Sequence, residues 1–274
     1  MERVTEQALR ALGRARTPEA LSAALEALPE ADPRARDLLV EKYWMLAAER
    51  GRRDPGCHLR TAILRGLRRR AQAVDADLLE HALWTYELLP PGPQEVAGDL
   101  RGAALLALAQ LDDRASSFHA VRLLGDGDTS RFSGEPALTA ARLLAAQGQL
   151  LPLYEQVLRH EPPGEVALEC LRALTEAPRA LVARLAEERR RRGDEIALLG
   201  LVELLLGHPE KERLVDVLMA FVEESDRLDV VRYAATAIVA GREMKLIDGL
   251  RARAGLPGPR GELVREALAL LVPP

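Results

Sequence analysis

Seven times along the chain an aliphatic residue opens a stretch of small and aliphatic residues at helical spacing. The copies read LRTAILRGL from Leu59, LRGAALLAL from Leu100, LTAARLLAA from Leu138 and LECLRALTE from Leu168, then LLGLVELLL from Leu198, VRYAATAIV from Val231 and VREALALLV from Val264. The anchors step by 41, 38, 30, 30, 33 and 33 residues. A unit of this length cannot bury its apolar face alone, whereas stacked neighbours bury each other's. The steps therefore predict a stack of helix pairs rather than a closed globule.

Composition agrees with that reading. The chain is 48% hydrophobic but only 3% aromatic, and packing between Ala/Leu-rich helices needs few large rings. A formal charge of −4 argues against a general nucleic-acid binder, which replaces counterions with surplus Lys and Arg. Cys57 and Cys170 lie about three repeats apart, so no disulfide is expected between them. The start, MERVTEQALRALGRA, is amphipathic and polar, and no apolar run reaches the ~18 residues of a membrane span. The expectation is a soluble cytoplasmic protein with no membrane contact.

Helix punctuation divides the chain further. Thr17-Pro18, Asp32-Pro33 and Asp54-Pro55 each set a capping side chain before a first-turn proline. Asp75, Asp113, Ser133, Asp194 and Asp226 are further capping candidates, and glycines at 51, 125, 148, 207 and 241 close helical runs. First helices of each pair are expected near 33–51, 76–89, 114–124, 149–160, 178–192, 210–224 and 242–254, with second helices starting just before each anchor. Residues 2–13 and 17–28 form an additional pair, read as an N-terminal cap over 1–31 on an array over 32–274. The loop GDGDTSRFSG, residues 125–134, is expected to be the most mobile. The apolar end LALLVPP either packs Leu270, Leu271 and Val272 back onto the last first-helix or meets a partner.

Three arginines follow an acid by six residues beside an apolar anchor: Asp54 and Arg60, Glu95 and Arg101, Asp226 and Arg232. The seventh copy keeps Arg265 but has Pro259 at the acidic position, and copies three to five have Thr139, Glu169 and Leu199 in place of the arginine. The pattern over roughly residues 33–271 resembles HEAT repeats, in which such pairs form a ladder of charge-assisted hydrogen bonds. The resemblance implies an all-α fold: a right-handed α-α superhelix, or HEAT-like solenoid, of about seven helical pairs with an N-terminal capping pair.

If the anchor and positions three, four and seven beyond it pack inward, positions two and five face the groove of the superhelix. That register assigns Leu105, Ala140, Leu143, Cys170, Ala173, Gly200, Glu203 and Tyr233 to a small, apolar concave face suited to a partner's helix or extended segment. The opposite reading buries these residues against neighbouring second helices. Arg65, Arg68, Arg69 and Arg70, and Arg189 to Arg192, cluster at helix C-terminal ends, where cations complement the macrodipole. The alternative is contact with phosphate or an acidic partner.

Trp44 and Trp84, beside Tyr43 and Tyr86, fall on first helices, where packing between helices is the ordinary role of large rings; a partner patch is the other. Adjacent Cys57-His58 is not zinc spacing. Asp126 and Asp128 open a calcium-like loop without its distal glutamate. With no nucleophile–base motif, phosphate loop or dinucleotide fingerprint, no catalytic residue, metal or cofactor is expected. The leading reading is a non-enzymatic scaffold or adaptor that binds another protein along the concave face. The alternatives that the resemblance carries are a nucleic-acid-binding relative of DNA-repair glycosylases and an accessory subunit of an enzyme such as a HEAT-like lyase. Partner identity and oligomeric state are not written in the sequence.

Overall fold

Side-chain caps set where several helices begin. In the computed structural model, which describes residues 2–29, 32–49, 52–89, 94–191 and 194–271, Thr17 Oγ1 accepts from Ala20 N at 3.2 Å and Asp32 Oδ1 from Arg34 N at 3.0 Å. Asp194 Oδ1 accepts from Ala197 N at 2.8 Å, and Asp112 caps its helix through Ala115 N at 2.9 Å. Each bond satisfies one of the amides that a helix start leaves unpaired. The expectations at Gly51, Arg192 and Val272, and at the Asp113 side chain, lie outside the described residues.

The described chain is all-helical apart from one pair of two-residue strands. It divides into two compact units, Met1–Leu144 and Ala145–Pro274. The first holds α1 (Glu2–Arg14), α2 (Pro18–Glu26), α3 (Pro33–Ala48), α4 (His58–Leu67), α5 (Ala76–Leu83), α6 (Gly98–Leu108), α7 (Asp113–Leu124) and most of α8 (Ala137–Ala146). The second holds α9 (Leu150–Arg159), α10 (Gly164–Ala173), α11 (Arg179–Arg189), α12 (Glu195–Gly207), α13 (Val215–Glu224), α14 (Leu228–Gly241), α15 (Met244–Arg251) and α16 (Gly258–Ala269). The seven anchors fall on α4 and the six even-numbered helices after it.

Within the first unit α1 packs on α2 and α3, α2 and α3 on α4, and α4, α5 and α7 on α6. Leu9, Leu12, Leu21 and Leu28 are buried there, so the N-terminal helices belong to the unit's core. At Gly98 and Gly102 of α6 the segment at Glu135 approaches so closely that a Cβ would lie 2.8 Å from Glu135 O and Glu135 Oε2. Within the second unit α10, α12, α14 and α16 pack one on the next; α9, α11, α13 and α15 each pack on the even helix that follows. Leu218, Phe221, Ile238 and Leu250 are among the side chains buried between them.

One local departure has a clear cause. The helix expected over 76–89 ends at Leu83, and β1 (Leu88–Leu89) pairs antiparallel with β2 (Gln94–Glu95), in a segment whose prolines disfavour continued helix. The loop 125–134 carries hydrogen bonds within its own segment. Asp126 Oδ1 accepts from Asp128 N at 2.9 Å, Ser130 N donates to Glu135 O at 2.9 Å, and Gly134 N donates to Ser130 O at 2.9 Å. At the C-terminal end Leu270 is exposed and Leu271 half-buried.

Candidate functional site

Two arginine-centred networks build the floor of the first unit's most distinctive surface. Asp54 Oδ1 accepts from Leu59 N at 2.7 Å, and its Oδ2 accepts from Arg60 N and Arg60 Nε at 3.0 Å. Arg60 Nη2 then meets Glu87 Oε1 at 2.7 Å, so a fully buried guanidinium lies between two carboxylates. One repeat later Arg101 Nη2 pairs with Glu95 Oε2 at 2.9 Å, and Glu95 Oε1 accepts from Ala97 N at 2.7 Å. Arg101 Nε makes an ion pair with Asp126 Oδ2 at 3.3 Å, and its Nη1 donates to Thr85 O at 3.0 Å. Buried charges persist only when paired and hydrogen-bonded in this way.

The third six-residue spacing makes no such pair. The Asp226 side chain is 99% exposed and meets Arg260 Nη2 at 3.3 Å. Arg232 is exposed, and its guanidinium has no partner among the described residues.

Aromatic rings stand on the two networks that do form. Buried Tyr43 places its hydroxyl 2.8 Å from His81 Nδ1, and Trp44 sets its ring edge-on to the same imidazole with centroids 5.0 Å apart. Burial, with the Arg60 charge second, holds His81 below the ordinary imidazole value. The step repeats one helix on: Trp84 lies edge-on to His119 at 6.4 Å. Trp84 Nε1 donates to Glu80 Oε1 at 2.8 Å, and the Arg122 guanidinium stacks 3.9 Å from its ring centroid. Arg101 stacks 4.0 Å from the Tyr86 centroid, and Tyr86 donates its hydroxyl to Asp126 Oδ2 at 3.0 Å.

Apart from Tyr43 these rings are not core. Trp44 and Trp84 do pack across to α5 and α7, but they stay 41% and 54% exposed and Phe118 70%, so of the early aromatic pairs only Tyr43 is buried. Phe118 and Val121, both exposed, neighbour His119 and Arg122 along α7. Beside the rings a cleft of about 850 Å³ opens over Arg60 and Glu87, walled by Trp84, Tyr86 and Leu88.

The concave-face register needs correction. Leu105, Ala140, Cys170 and Gly200 are buried, Leu143 and Ala173 half-buried. The physical reason is that a second helix has neighbours on both sides and a first helix behind it. Arg101, Ala103, Ala104, Leu105 and Ala107 of α6 are all enclosed, as expected of a helix apolar nearly all round. At Gly200 a Cβ would stand 3.0 Å from Leu168 Cδ1, so that glycine serves the approach of α10 to α12. In the fourth copy Arg172 is exposed instead of Cys170, a register shift. The surface strip that remains is polar: Glu203, itself half-buried, accepts from Arg172 Nε at 2.9 Å and from Tyr233 OH at 3.2 Å.

The arginine clusters are largely occupied with the chain itself. Arg70 Nη1 donates to Gly66 O at 3.0 Å, and Arg189 Nε to Val157 O at 2.6 Å. Arg190 and Arg191 share Glu224 at 3.1 and 3.2 Å. Arg65 and Arg68 are exposed beside a pocket of about 260 Å³ that also contains Asp99 and Glu135, and Arg69 is exposed too. Burial pushes the Glu135 carboxyl up, against the hydroxyl of Thr139, which donates to it at 2.8 Å. Burial likewise raises both thiols, Cys170 to about 12, which leaves them poor nucleophiles.

Among the described residues no three metal-ligating side chains converge, and no helix is long and apolar enough to cross a membrane. Comparison with protein-family models, with curated proteins and with solved structures finds no match to this chain.

Proposed function

We propose that this chain is a HEAT-like α-α repeat protein whose task is to bind another protein, and that the docking surface is the aromatic ridge on α3, α5 and α7. The repeat period, the acid–arginine pairs at two levels and the layered packing inside the second unit support the repeat reading. Residues 1–31 then serve as the cap of a right-handed array of about seven pairs.

The observation that carries the docking role is Trp84. It is more than half exposed yet held by Glu80 at its indole nitrogen and by Arg122 over its ring. A large ring already immobilised loses little entropy on binding, and Trp, Tyr and Arg are the side chains that dominate interface energetics. Trp44, Met45, Tyr86, Phe118 and Val121 supply apolar area around it. In a chain only 3% aromatic, exposing both tryptophans is a cost in solubility that a partner would offset.

The test is site-specific photo-crosslinking. A crosslinker at Phe118 is expected to trap one discrete protein in the native cell extract, and Trp84→Ala is expected to abolish that product. The same crosslinker at exposed Leu181 in the second unit serves as control. Equal products from both positions, or a product indifferent to Trp84→Ala, would remove the proposal.

A further inference from the structure

The cleft beside the ridge is both apolar and acidic. Asp77, Glu80 and His81 of α5 and Trp84 just past its end follow one another at helical spacing and all line it, as does Glu87. Its three carboxylates face two guanidiniums, Arg52 and Arg60. Arg60 is already shared by Glu87 and by Asp54 beneath it, so that group keeps a negative surplus. Asp77 has no hydrogen-bond or ion-pair partner among the described residues. Among the described residues Glu80 is met by an indole N–H and by His119 Nε2 at 3.0 Å.

The aromatic wall suits a particular charge. Trp84 lines the cleft, whereas Arg122, which stacks on it, does not. An indole is the best of the protein rings at holding a cation over its face. Long basic side chains lay their methylenes along apolar walls while the charge stays at a polar rim, and Trp84, Tyr86 and Leu88 offer such a wall.

We infer that the cleft between α5 and the 85–89 segment is a recognition pocket for a basic segment of the partner, an arginine or lysine lying along Trp84 with its charge among Asp77, Glu80 and Glu87. This rests on the protein-docking reading and names the chemistry of the partner. Acidic and purely apolar segments are the competing occupants.

Calorimetric titration of the full chain with capped hexa-arginine, hexa-glutamate and an uncharged amphipathic peptide separates them. Hexa-arginine is expected to bind and the other two to give no saturable heat. The double variant Asp77→Asn, Glu80→Gln is expected to weaken hexa-arginine by about ten-fold or more, the loss of a desolvated charge contact. Removing the same charge far along the sequence, with Glu161→Gln and Glu165→Gln, is expected to change it by less than about two-fold, as for exposed charges. Circular dichroism checks that each variant folds. Binding of hexa-glutamate or of the uncharged peptide, equal losses in the two double variants, or no binding of hexa-arginine overturns the inference. A discrete Trp84-dependent crosslink at Phe118 alongside any of those results would leave the docking surface standing and discard only the basic segment.

Discussion

Arg60 and Arg101 each lie between two carboxylates, whereas Arg232 pairs with none among the described residues, although all three follow an acid by six residues. The difference is in the second acid. Glu87 comes 27 residues after Arg60 and Asp126 comes 25 after Arg101, each delivered by the connection into the next even-numbered helix. After Arg232 the corresponding stretch is Gly255-Leu256-Pro257-Gly258-Pro259-Arg260, without an acid, and Arg260 draws Asp226 outward. One carboxylate at spacing six is therefore insufficient to bury a guanidinium. The second makes the desolvation tolerable, because each additional opposite charge beside the guanidinium offsets part of it.

The largest test of that contrast is the arginine itself. Arg101→Met leaves Glu95 and Asp126 without their shared cation and is expected to cost about 3–5 kcal/mol in urea unfolding, while Arg232→Met stays within about 0.5 kcal/mol. Equal effects would erase the distinction. Next, Glu87→Gln removes only the second acid from Arg60 and is expected to cost about 1–3 kcal/mol; Asp226→Asn, on the exposed pair, is expected to change stability by less than about 1 kcal/mol. Smaller still, Tyr43→Phe deletes one hydroxyl bond to His81 and is expected to cost about 1 kcal/mol.

The finest test is by pH. His81 has a folded-state value below its unfolded one, so the folded protein favours the neutral ring. Its contribution is present above about 6.5, the unfolded value, and is lost as pH falls below it. Between pH 7.5 and 5.5 a His81→Gln variant is accordingly expected to lose less stability than the parent, read from the shift in urea midpoint.

The fold was legible wherever local chemistry decides. Thr17, Asp32 and Asp194 cap helices because a short oxygen-bearing side chain before an apolar periodic run has a free amide to meet, and the seven anchors all lie on helices. What depends on contacts between distant segments was not. The third acid–arginine spacing looks identical to the first two until Arg260 is placed beside Asp226. Cys170 and Arg172 differ by two positions in a stretch where leucines recur every three, and only packing decides which one faces out. The proposed docking surface was weighed in the sequence only as the alternative to packing, for a related reason. A tryptophan on an amphipathic helix is ordinarily packed, and nothing local to Trp84 signals that Glu80 and Arg122 hold it upright in solvent. Clustering of both tryptophans within the first unit of so ring-poor a chain was the available clue.

That clustering makes the protein its own two-colour gauge. Both tryptophans belong to the first unit and the second has none, so indole emission follows the melting of residues 1–144 while helical ellipticity sums over the whole chain. Superimposable melting curves from the two signals would mean that the units unfold as one; separated curves would give the energy that couples them, without a label or a truncation.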